Sequence, residues 1–71
     1  MYYIQVDIFE ILKGAAVKTL SHTFYGNTPQ DAQAVFNAHM KYDSFLHDMV
    51  ATGSFKGIKG AVSYSQGRTL F

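Results

Sequence analysis

Residues 2–12, YYIQVDIFEIL, alternate in character. Tyr2, Ile4, Val6 and Ile8 point one way, and Tyr3, Gln5, Asp7 and Phe9 the other. A period of two in β-branched and aromatic residues is the signature of a strand with two unlike faces. Residues 16–25, AVKTLSHTFY, read as a second strand, and Lys13-Gly14 between them reads as the turn of a β-hairpin.

Two registers compete for this hairpin. A two-residue loop at Lys13-Gly14 sets Ile4, Val6 and Ile8 opposite Thr23, Ser21 and Thr19. An odd loop sets Ile4 beside Phe24, Ile8 beside Leu20 and Glu10 beside Lys18. A slip of one residue exchanges whole faces, and apolar or opposite-charge cross-strand pairs are the favoured ones. The odd register is therefore expected. It places His22 opposite Val6, on the core side.

The segment GNTPQDA starts a helix. Thr28 is a good N-cap, Pro29 suits the first helical position, and Asp31 puts a carboxylate in the first turn. One helix running from Pro29 to Thr52 would be about 36 Å long, against a radius of gyration of about 11 Å for a compact chain of this size. The apolar phase changes as well. Up to Tyr42 the arc is Tyr42, Val35, Ala32, Phe36 and Met40, and beyond it Phe45, Leu46, Met49 and Val50 form a separate stripe. A break is expected at Tyr42–Asp43, with Asp43 as the cap of a second helix and Gly53 ending it. Glycines at 53, 57, 60 and 67 exclude further helix. Ile58–Ser65 is the expected third strand, with Val62 and Tyr64 on one face; SQGR reads as a turn, and TLF as a short last strand or a loose tail. The expected fold is α+β, with residues 1–71 as one domain of two layers. An antiparallel sheet of three or four strands carries one long and one short helix on one face, in the order β-β-α-α-β.

A chain of 71 residues without cysteine has a marginal core and no disulfide or thiolate zinc site to support it. Its net charge of +1 argues against strong non-specific phosphate binding. No apolar run reaches membrane-spanning length, and the first residues lack the basic start of a signal peptide, so a cytoplasmic protein without membrane contact is expected.

Chemistry has few footholds. His39, Asp43 and His47 are spaced four apart. On a straight helix, however, the two histidines lie about 12 Å apart along the axis, too far to share one ion. A histidine-based metal site would need His22, Asp7 or Glu10 as further ligands and is the weakest reading; no metal or other cofactor is expected. Ser21-His22 point to opposite strand faces, Ser44 and His47 lack an orienting third group, and no G-x-S-x-G elbow occurs, so no catalytic residue is assigned and the chain is not expected to be an enzyme. His22 and His39 are candidate core histidines that approach each other where helix meets sheet. His47 reads as a surface residue.

Two candidate surfaces remain. If helices cover one sheet face, Tyr3, Phe9, Ile11, Val17 and Tyr25 stay outside on the other, and contiguous exposed apolar area marks an interface. A symmetric homodimer is the simplest use of it, and another protein the next. GSFKGIKG offers Phe55, Lys56 and Lys59, with Tyr64 nearby, as a weak nucleic-acid contact. A P-loop needs the reverse order of elements and its GK[ST] signature. The expected function is a non-enzymatic protein-interaction module, with nucleic-acid binding as the alternative.

Overall fold

The computed structural model describes residues 1–70. Its elements are β1 (Tyr2–Leu12), β2 (Ala15–Gly26), α1 (Pro29–Tyr42), α2 (Ser44–Thr52), β3 (Ser54–Phe55) and β4 (Ile58–Arg68). The strands form one antiparallel sheet in the order β2-β1-β4-β3, and both helices pack on one of its faces, giving a two-layer α+β fold.

Both hairpin registers are present. Both Lys13 (φ 52°) and Gly14 (φ 81°) have positive φ, as the tight two-residue hairpin turn requires, so Leu12 pairs with Ala15 and Phe9 with Lys18. Farther out, Ile4 pairs with Phe24, Val6 with His22 and Ile8 with Leu20, the register demanded by the apolar pattern. The conflict is absorbed by a β-bulge that leaves Thr19 as the extra residue on β2. Two expectations change accordingly. Lys18 lies opposite Phe9 rather than Glu10, and Val17 lies opposite Glu10 and so shares the helix-side face.

The helix boundaries follow from side-chain caps. Thr28 Oγ1 accepts the Asp31 N–H at 3.0 Å, and Asp43 Oδ1 accepts the Leu46 N–H at 3.0 Å. Asp43 itself has extended backbone (φ −123°), so the helical chain breaks there. Gly53 closes α2 in the left-handed conformation with its N–H on Met49 O. The buried stripe of α1 is narrower than its apolar arc. Ala32 and Phe36 are buried, while Val35 and Tyr42, at one margin of the arc, are exposed, Tyr42 at 91%.

The core lies between the layers: Ile4, Val6 and Ile8 from β1, Phe24 from β2, Ala32 and Phe36 from α1, Leu46 and Met49 from α2. Burying a Val, Leu, Ile, Phe or Met side chain contributes about 1.5–3 kcal/mol, and all of these but Ala32 are of that kind, with Leu20, Met40, Phe45, Val50, Phe55 and Val62 packed partly buried around them. The last strand is longer than expected. SQGR does not turn; Gln66, Gly67 and Arg68 pair with Ile4, Tyr3 and Tyr2. Pairing with β1 holds the segment extended, with Gly67 bonding across to Tyr3, where a local turn would have no such partner. Thr69 N–H continues the ladder to Met1 O at 2.7 Å, and Phe71 of the TLF segment lies outside the described residues. Lys56 (φ 49°) and Gly57 (φ 85°) form a second tight turn, between β3 and β4.

Strands of 11 or 12 residues set the long dimension. At about 3.3 Å per residue they span roughly 36–40 Å, and the molecule measures 40 × 23 × 13 Å. The β1–β2 tip therefore projects beyond the helices, leaving Ile11, Leu12 and Val17 exposed. No helix is long and apolar enough to cross a membrane.

Candidate functional site

Strand alternation and one-sided helix packing leave a sheet face without a covering layer among the described residues. Tyr3 and Tyr25 are direct cross-strand partners at one end of it. Phe9, Ile11 and Ala16 occupy the other end, with Ala61 of β4 beside Phe9. Tyr25 is 45% and Ile11 39% exposed. Tyr3 also lies across Gly67, where a Cβ would come within 3.0 Å of its hydroxyl, which accounts for its partial burial.

A polar band of Gln5, Asp7, Ser21 and Thr23 divides the two apolar ends. Asp7 is the only carboxylate in that band. Its carboxyl is held below the ordinary carboxylate range, chiefly by a hydrogen bond from Ser21. Partial burial opposes this, and Gln5 and Lys18 add to it. The Gln5 amide donates to Asp7 at 3.3 Å, and Lys18 Nζ stands 4.0 Å from Asp7 Oδ1 and 5.8 Å from the centre of the Phe9 ring. An exposed pair at that distance contributes little to stability. Its effect is to hold one cation beside one anion in the polar band between the two apolar ends. Four of the five residues expected on this face, Tyr3, Phe9, Ile11 and Tyr25, are there, and Val17 is moved off it by the bulge.

The histidines meet where α1 crosses β2. The rings of His22 and His39 have centres 4.8 Å apart, and Phe24 stacks on His22 at 4.3 Å and meets His39 edge-on at 5.2 Å. His39 Nε2 is 3.4 Å from Asp43 Oδ2, the oxygen not engaged in the α2 cap. His47 turns away to Asp48, 3.2 Å from it. The histidine-aspartate spacing thus ends as two separate His–Asp pairs on either side of the helix break. Among the described residues no group of three His, Cys, Asp or Glu side chains is placed to hold a metal ion.

The lysine-glycine segment is dispersed by its own hairpin. Phe55 packs edge-on against Phe45 at 5.2 Å, and Lys56 Nζ lies 5.1 Å over the Phe55 ring. Lys59 and Tyr64 fall on opposite faces of β4 by strand alternation. Tyr64 meets Phe36 edge-on at 6.2 Å, and burial raises its phenol above the ordinary tyrosine value. Ser21 faces Asp7 while His22 faces the helices, so the two neighbours share no site.

A sheet of three or four strands is expected to leave open edges, but sequence reasoning did not say that β4 would carry one. β3 pairs only with Ile58 and Lys59, so no strand lies beyond β4 from Ala61 onward among the described residues. The one signal in the sequence was the uninterrupted run of small and β-forming residues from Ala61 to Ser65. No protein-family model, curated protein or solved structure matches the chain.

Proposed function

We propose that the chain is a non-enzymatic protein-interaction module that works as a homodimer and presents its open sheet face for docking. The observation that carries this reading is the placement of both helices on one side of the sheet. Among the described residues it leaves Tyr25 and Ile11 exposed, beside half-buried Tyr3 and Phe9, with no layer over them. Exposed apolar and aromatic area of this kind is what interfaces are built from. Association also enlarges the buried surface of a chain whose own core is small.

Sedimentation velocity over a range of protein and salt concentrations tests the reading. A dimer whose affinity changes little with salt is expected, because neither apolar contact nor pairing of neutral backbone groups is screened by ions. A monomer up to high micromolar concentration refutes it. Tight retention of an oligonucleotide that collapses as salt rises would replace it with phosphate recognition.

A further inference from the structure

The two edges of the sheet are not alike. β2 is interrupted by the Thr19 bulge and carries Lys18, devices that discourage strand addition. β4 carries neither a bulge nor a proline, and no charged residue stands between Gly60 and Gln66. Its outward backbone groups can be identified. Phe55 and Ile58 close the second tight turn, so Ile58 bonds outward, towards β3. Gly60 N–H also points that way, to Gly53 O at 2.9 Å. Alternation then directs the N–H and C=O groups of Val62, Tyr64 and Gln66 outward, while Ser63 and Ser65 bond to β1.

We propose that this edge of β4 pairs antiparallel with β4 of a second copy, centred on Ser65, to make one continuous sheet. The inference rests on the homodimer reading and assigns the joint between the copies. In this register Val62 faces Arg68 of the second copy, and Tyr64 faces its Gln66. Every outward residue then meets an outward residue, as an antiparallel ladder requires. The side chains meeting on the open face are Ser63, Ser65 and Gly67, small enough for strands to approach to about 4.8 Å. No like charges face each other. A register centred on Tyr64 would set Arg68 of the copy against Gly60, whose N–H is already taken by Gly53, so the β3 hairpin blocks that register, and the Ser65-centred one keeps the longest ladder of outward residues, Val62 to Arg68, that clears it. The two-fold axis runs through the sheet, so both helix layers stay on one side. Both open faces lie side by side on the other, free for a partner.

Amide exchange followed by NMR at low and high protein concentration tests the pairing on the unmodified chain. The amides of Val62, Tyr64 and Gln66 are expected to gain at least about tenfold protection as the dimer forms, with Ser63 and Ser65 protected throughout. Gln66→Pro removes an outward N–H without touching the β1 ladder, and acts twice across the axis. It is expected to weaken the dimer at least about tenfold. A dimer whose Val62, Tyr64 and Gln66 amides exchange freely, or one unaffected by a folded Gln66→Pro chain, overturns the edge pairing and leaves self-association intact. Ile11→Lys and Tyr25→Lys then locate the joint on the open face. A monomer at every concentration overturns both readings.

Discussion

The rings of His22 and His39 stand 4.8 Å apart, at 48° to one another, although the residues come from a strand and from a helix beyond the next turn. Phe24 touches both, so the three rings form one cluster over the exposed end of the core. A double-mutant cycle with His22→Ala and His39→Ala is expected to show a coupling of about 0.5–1.5 kcal/mol. Urea midpoints of the four chains measure it. Additivity within about 0.3 kcal/mol would mean that the rings are adjacent without interacting.

Asp43 serves two elements with two oxygens, capping α2 through Oδ1 and facing His39 through Oδ2. Asp43→Ala should cost about 1 kcal/mol, and Asp43→Asn only a small part of that, since asparagine caps as well as aspartate. Asp48→Ala, which removes only an exposed partner of His47, should stay within about 0.5 kcal/mol. Equal losses for Asp43→Ala and Asp48→Ala in chemical denaturation would show that the cap does not hold the break.

Acid should act through Asp7. Its folded carboxyl titrates below the ordinary value, chiefly because Ser21 donates to it. A depressed value contributes stability that is present above the unfolded carboxyl pKa and lost as pH falls through the folded one. Ser21→Ala should therefore raise the Asp7 titration midpoint seen in the carboxyl carbon resonance. Asp7→Asn should flatten the acid limb of the stability curve. An unmoved midpoint in Ser21→Ala contradicts the assignment of cause.

The junction of β2 with α1 has no room for a side chain. A Cβ at Gly26 would lie 2.3 Å from Ala32 N and 2.7 Å from the Asp31 carbonyl carbon, both backbone atoms. Gly26→Ala must shift the start of α1 and should cost about 2 kcal/mol or more. Gly14→Ala meets nothing within 4 Å, and only its φ of +81° is strained, so about 1 kcal/mol is expected. Thermal melts of both chains compare the two. A smaller loss at Gly26 than at Gly14 would mean that the junction yields easily.

Local chemistry was legible in the residues themselves. Thr28 and Asp43 cap helices because their oxygens reach an N–H three residues away, and Lys13-Gly14 marks a turn because Gly14 takes positive φ freely, although the loop there has two residues rather than the odd number expected. The α1–α2 break, the meeting of His22 with Val6 and the one-sided helix layer followed from such short-range rules and from apolar phase. Long-range pairing decided the rest. Whether SQGR turns or extends depends on Tyr2–Ile4, at the other end of the chain, being there to pair with it. Val17 changes face because a turn and a core impose registers one residue apart, and only a bulge satisfies both. Val35 and Tyr42 are apolar enough for the core yet stay outside, because the sheet beneath α1 covers less than the helix's apolar arc. The free β4 edge arises in the same way: which strand β3 joins, and how little of it, is a property of the assembled sheet rather than of any segment.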